Sequence, residues 1–434
     1  MKLEKFKTVL LTVLVLVSII LFWNLVTFQQ NYEMVNNQDY VKEIYIIDKK
    51  MSEKELIVPN KIIFRDGKNN FTGIQNMDHI TSAMDRLKGW KFSGFQRSNN
   101  ELAKKFSNAE KNQVLIFQFP SELPMDLLKS LFTVETTEIP GDEFRNIFIF
   151  QQDLKGENGV VYFASNDFTS VVKANIRSAS PEHYKKIAKK IREEGISYLA
   201  YEKSPGSFLF LPDEPVTLEN EQYYPRLYDK EIFVDALFKN PGMLTISDQE
   251  YTDGSALLKV DQDLHKLTYV DTTVNDSPGS LHDMIKTGIN YINGHGGWTD
   301  QYYFSGAYFN ASKVYFQLYA KNYPVFNERG LNEIELKVGN NKVHSYERPY
   351  FRLDFITFNP DNERYTLPPG SEVLAHLEKS GIDITAVEDM LIGYHMQRDQ
   401  EKAVIKLQPS WFYKIGQSWV RIPLELGGVN NGLE

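Results

Sequence analysis

From Thr8 to Tyr32 the chain carries no charged side chain, and its apolar part, Thr8 to Phe28, runs for about 21 residues. At 1.5 Å rise per residue that length spans a ~30 Å hydrocarbon layer, so the pattern predicts one transmembrane helix at 8–28. No later apolar run reaches that length; Gln113–Phe119 and Asn146–Phe150 are strand-sized. Beyond a polar stalk from about residue 31 to 43, the pattern switches between periods of two and 3.6. "EIYIID", "KIIFRD", "QVLIFQF" and "RNIFIF" read as strands, and "NMDHITSAMDRLKG" as a helix with Ile80, Met84 and Leu87 on one face.

A second group of elements opens with "GVVYFA" and "FTSVVKANI". The helix after them has its boundaries written in the sequence: Ser180 to cap, Pro181 at the first helical position, Tyr184, Ile187, Ala188 and Ile191 as the apolar stripe, and Gly195 at the exit. Strands "SYLAYE" and "SFLFLP" follow, then a helix in "DKEIFVDALFKNPG". The order strand, strand, helix, strand, strand favours an antiparallel sheet with a helix on one face.

From about residue 243 the alternation is strongest. In "SLHDMIKTGINYINGHGG", Ser280 and Asp283 form a capping pair, Met284, Ile285, Ile289 and Ile292 the buried stripe, and Gly294 the stop. "KVYFQLYA", "NEIELKV", "KVHSYERPYFRLDFI", "DMLIGYHMQ" and "KAVIKLQPSWFY" read as strands, and "SEVLAHLEKSG" as a helix among them. In "NEIELKV", Ile334, Leu336 and Val338 face one way and Glu333, Glu335 and Lys337 the other, the signature of a sheet with one wet face. The expected architecture is therefore α+β: a tail at 1–7, the membrane helix at 8–28, and three outer α+β domains at 29–150, 151–242 and 243–434. Helix followed by meander occurs twice, which suggests a weak duplication of a cystatin-like or peptidase-propeptide-like unit in the last.

The membrane helix reads as retained. Its core exits through Phe22, Trp23, Asn24 and Leu25 with no small-residue cleavage site, and Trp23 and Phe28 suit an interfacial aromatic belt. Lys2, Lys5 and Lys7 precede the helix against Glu4 alone, so the positive-inside rule places the N-terminus in the cytoplasm and nearly everything else outside. Thr8 and Thr12 share a helix face, while Ser18 and Asn24 lie on others; these four are the candidates for contact with neighbouring membrane helices, or simply the Ser and Thr that membranes tolerate.

With 434 residues, 42% hydrophobic, the outer part is globular and too long for one ordinary core. Cysteine is absent, which excludes disulfides, thiolate zinc sites and thiol catalysis. Net charge is -9; without the N-terminal tail, whose charge is +2, the remainder stands at about -11, which disfavours nucleic acid. The cluster Lys185, Lys186, Lys189, Lys190 and Arg192 reads as the solvated face of one helix.

Chemistry is sparse. None of the eight histidines belongs to a close metal-ligand pattern, and no hydrolase elbow, phosphate loop or dinucleotide fingerprint occurs, so no metal or cofactor is expected. The carboxylate pairs Asp142/Glu143 and Asp361/Glu363 lie in turn-like surroundings. "NGHGGWTD" stands out: Asp300 orienting His295 as a base would make a pocket, while a glycine-rich helix stop with Trp298 packed back on the sheet would make it structural. The structural reading is favoured. A tail of seven residues is too short to fold, so any inward signal would travel through contacts of the helix or outer body.

The start "KTVLLTVLVLVSIILFWNLVTFQQNYE", with "NYINGHGGWTDQY", "IELKV", "YERPYFRL" and "LQPSWFY", resembles the YycH family over the full length of the chain. The resemblance implies a non-enzymatic accessory regulator of the essential cell-wall sensor histidine kinase of low-GC Gram-positive bacteria, working with its sister protein YycI. It implies three outer α+β domains, the last similar to YycI, kinase contact through membrane helices, and no catalytic residues. Two alternatives stay open: an exported wall-modifying enzyme working at His295 and Asp300, and a solute-binding receptor with a deep pocket between its domains.

Overall fold

The computed structural model describes residues 50–98, 101–107, 112–204, 206–275, 277–356, 364–399 and 403–424, together with Lys7, Ser18, Ile44 and Tyr45. Lys7 and Ser18 are helical and exposed. Among the described residues no helix is long and apolar enough to cross a membrane; apart from Ser18, the expected span at 8–28 lies outside them, with Thr8, Thr12, Trp23, Asn24 and Phe28.

Two sheets carry the fold, which is mixed and strand-rich α+β. The first has ten strands in the order 207–212, 196–204, 71–74, 61–65, 114–124, 143–150, 159–164, 171–177, 91–97, 133–134. Strand Glu143–Phe150 bonds Val114–Pro124 on one side and Gly159–Ala164 on the other, so the sheet runs through residue 150. Strand pairs 159–177 and 196–212 do not adjoin; strands from before residue 150 sit between them, because the helix Pro181–Glu194 carries the chain across the sheet. The first two expected units thus share one sheet.

That helix matches its sequence signals closely. Ser180 accepts from the Glu182 N–H, and Tyr184, Ile187, Ala188 and Ile191 are its buried residues. Gly195 follows because space demands it: an added Cβ would sit 2.4 Å from the Ile191 carbonyl and 2.9 Å from that of Gly73. Its lysines face solvent and pair with Glu182, Glu193 and Glu194 on the same helix. With Met77–Leu87 it covers one face of the sheet, where Ile62 and Phe64 point; Ile63 points the other way, into a cluster with Phe106, Phe148 and Tyr162. A strand buried on both faces has no polar alternation to show.

The second sheet has fourteen strands from Thr245–Ser247 to Ser418–Arg421, and it also takes Glu221–Leu227 between Val404–Ile415 and Phe351–Ile356. Its helix Leu281–Gly294 is capped by Ser280 as expected and buries Met284, Ile285, Ile289 and Ile292. Ile334, Leu336 and Val338 are buried; Glu333, Glu335 and Lys337 opposite them are half-buried. From Ile44 onward the chain is one compact unit.

The halves are pinned by a buried charge network. Asp389, on strand Asp389–Asp399, accepts from Lys61 Nζ at 2.7 Å, Arg145 Nη2 at 2.7 Å and Asn60 Nδ2 at 3.2 Å. Lys61 also donates to the carbonyls of Phe210 and Met390. Arg145 also donates to the carbonyls of Phe119 and Glu388. Burial alone would raise the Asp389 carboxyl, but Lys61 and Arg145 outweigh it and hold the group below the usual carboxylate range.

Candidate functional site at a helix exit

"NGHGGWTD" is the exit of the helix Leu281–Gly294. Gly296 and Gly297 reverse the chain at φ +98° and +65°, a region that favours glycine. Space reinforces this at Gly296, where a Cβ would lie 2.7 Å from the Phe233 ring. Arg348, fully buried, then binds the turn from below: its guanidinium donates to the Gly297 carbonyl at 2.7 Å, Thr299 Oγ1 at 3.1 Å and the Tyr346 hydroxyl at 2.7 Å. Tyr346 in turn donates to the His295 carbonyl at 3.3 Å.

This turn receives the first strand of the compact unit. Ile44 and Tyr45 pair in parallel with His295 and Gly296. A few residues on, Asn293 grips Met51 by both of its main-chain groups, accepting its N–H at 3.0 Å and donating to its carbonyl at 2.8 Å. The same Asn293 oxygen accepts from Trp298 Nε1 at 2.8 Å, and Trp298 packs edge-on against Phe316 at 5.0 Å. Trp298 therefore folds back on the sheet.

The residues proposed as an acid–base pair are not brought together as one. His295 stacks on Tyr291, ring centres 3.8 Å apart, with Nδ1 2.8 Å from the Tyr291 carbonyl. Asp300 accepts instead from the Leu353 N–H at 3.0 Å. Burial pushes its carboxyl up to about 7. Asp300 and Trp298 line a cavity of about 540 Å³ with Met51, Thr299, Tyr302 and Tyr303, and His295 is not in its wall. A base needs its orienting partner within hydrogen-bond reach, and Asp300 is spent elsewhere. Among the described residues no group of three or more His, Asp or Glu converges to hold a metal.

Two families of residues escaped the pattern of the sequence. Arg348 shares a strand face with Tyr346, both buried, so a cation on an inward phase was the signal. Asn293, by contrast, sits beside the apolar stripe and looks like a helix-exit residue; its grip on Met51 spans 242 positions.

A family profile described as the YycH protein N-terminal domain matches residues 4–193, and one described as the YycH protein C-terminal domain matches 207–427. The chain belongs to the YycH family. The "Two-component system WalR/WalK regulatory protein YycH" of Bacillus subtilis (strain 168) is 23% identical over 462 residues, covering 100% of both chains. The crystal structure of YycH from Bacillus subtilis superposes with a TM-score of 0.73 at 19% identity, covering 88% of this chain and 98% of that one, a likeness of fold. The gap between the two family profiles, 194–206, contains strand Ile196–Ser204 of the first sheet, near where the chain passes from one sheet to the other.

Proposed function

We propose that the protein is a non-enzymatic, membrane-anchored regulator of the sensor histidine kinase of a cell-wall two-component system, acting with a YycI-type sister protein. The observation that carries this reading is the end-to-end match to a relative named as a WalR/WalK regulatory protein. In this reading the helix at 8–28 holds the chain in the membrane with the N-terminus inside, and Thr8, Thr12, Ser18 and Asn24 are its contact positions, with Trp23 and Phe28 at the outer interface. The outer body sets the position of that helix, and so biases a kinase with two states.

The grip of the helix exit on Met51 supports this coupling. Ile44, Tyr45 and Met51, which follow the expected span in sequence, are tied to the body by strand pairing and by Asn293, so a displacement of the turn acts on the part of the chain that leads back to residue 28. The test replaces Thr8–Phe28 with an unrelated apolar span of equal length and leaves the outer body intact. Phosphorylated response regulator should then lose its dependence on the protein, and co-purification with the kinase and the sister protein should fall; unchanged kinase output with a folded body rejects the mechanism.

A further inference from the structure

A further cavity lies elsewhere, in the cleft between the two sheets. It measures about 1010 Å³. Ser121, Glu122, Asp126 and Arg145 are among the residues of its wall on the side of the first sheet, and His282, Tyr308, Glu388 and Lys414 among those on the side of the second.

Its polar lining is incompletely used by the protein. Glu122 Oε1 accepts from the Asn166 N–H at 3.0 Å, but Oε2, buried, has no protein donor. Lys414, 2% exposed, has three donors and one acceptor, the Pro120 carbonyl at a long 3.3 Å; the Tyr308 and Trp419 rings flank the ammonium at 5.6 and 5.9 Å. His282 has Nδ1 3.3 Å from Asp126 while its buried Nε2 has no protein partner. Buried polar groups are paired in the great majority of cases, so three with spare capacity on one cavity are a departure that calls for a ligand.

The chemistry of those groups names the class. Glu122 offers an acceptor that wants a cationic N–H; Lys414 offers two N–H bonds that want an anionic oxygen. The two are neighbours, since the acceptor of Lys414, Pro120, lies two residues before Glu122, and the Glu122 charge acts on the ammonium. From this geometry we infer that the cleft binds a small zwitterion of amino-acid or short-peptide type, its ammonium group on Glu122 and its carboxylate on Lys414. The cavity is roomy enough for a ligand of two or three residues, which fall inside the usual range of small-molecule sites of roughly 300–1,000 Å³. The electrostatics agree: burial pushes Glu122 above the usual carboxylate range and Lys414 down to about 8, and a ligand of opposite charge at each would restore both.

Because Arg145 lines the cleft and also bonds Asp389, occupancy would be felt at the network joining the sheets. The inference stands apart from the regulatory reading, since binding is measured on the protein alone. Full-length protein in nanodiscs is titrated calorimetrically with trialanine, with its N-acetylated form and with its C-terminal amide. Trialanine should bind and raise Tm, and each blocked form should bind about 10-fold more weakly or worse. Glu122→Gln should erase the difference between trialanine and the acetylated peptide, and Lys414→Met that between trialanine and the amide, both variants keeping the wild-type circular dichroism. No heat of binding up to about 10 mM, equal affinity for the three peptides, or preferences untouched by the substitutions each overturn the assignment, leaving a cleft filled by water.

Discussion

Lys61, Arg145 and Asp389 meet at the junction of the two sheets, and Glu122, Lys414 and His282 line the cleft beside it, with Arg145 belonging to both places. In the first group every charge has partners: Asp389 takes three side-chain donors, and Lys61 adds two carbonyls. In the second, an oxygen, a ring nitrogen and most of an ammonium find none in the protein. The difference teaches what each is for. A buried charge costs several kcal/mol in desolvation, and full pairing offsets that cost inside the folded chain; spare capacity leaves it to be offset by something that binds.

The sharpest way to break this comparison is Asp389→Ala. It would strand Lys61 and Arg145 without their carboxylate, and a loss of about 3–5 kcal/mol in denaturant unfolding is expected. A loss below about 1 kcal/mol would mean that the network does not hold the sheets. Next in size is Asn293→Ala, which strands the Met51 main chain and the Trp298 indole together; about 1–3 kcal/mol should go, with faster amide exchange concentrated at Met51 and the helix exit. Uniform exchange across the molecule would detach Asn293 from any special hold on Met51.

Asp300 lies between the extremes, a half-buried carboxyl with one backbone donor. Its pKa in the fold, about 7, exceeds that of an unfolded aspartate, about 3.9, so the folded state binds the extra proton between those values and stability falls as pH rises through that window. Asp300→Asn keeps an acceptor for the Leu353 N–H and removes the linkage. Its Tm should decline less than that of the wild type between pH 4 and pH 7; parallel curves would show that Asp300 titrates normally.

Smallest is the effect of Lys414→Met. It removes an under-partnered buried cation, so stability at pH 7 should stay within about 1 kcal/mol of wild type, on the stabilising side. The sign has a second check. With Lys414 near 8 in the fold against about 10.4 when unfolded, the unfolded chain binds more protons in between, and wild-type stability should rise with pH from 8 to 10 more steeply than that of the variant. A loss of about 3 kcal/mol or more would place Lys414 with the architectural charges and dissolve the contrast.

Local elements were legible in the chain itself. The helix Pro181–Glu194 begins and ends where Ser180, Pro181 and Gly195 say it should, and Leu281–Gly294 is capped by Ser280 as its sequence indicates, because caps, stripes and turns act over a few residues. Ile334, Leu336 and Val338 likewise announced their own burial by alternation. The glycines of "NGHGGWTD" spelled out a helix stop with Trp298 turned inward, and the quoted family strings pointed to the family that both profiles match.

Tertiary structure alone decided which strands became neighbours. Periodicity reports which face of a strand is covered and carries nothing about its partner, so the insertion of strands 61–65 and 114–124 between later ones could not be read from it. The meeting of Lys61 with Asp389, of Asn293 with Met51 and of Glu122 with Lys414 belongs to the same class: each pair is brought together across hundreds of positions, where no local preference acts and only the packing of the sheets chooses.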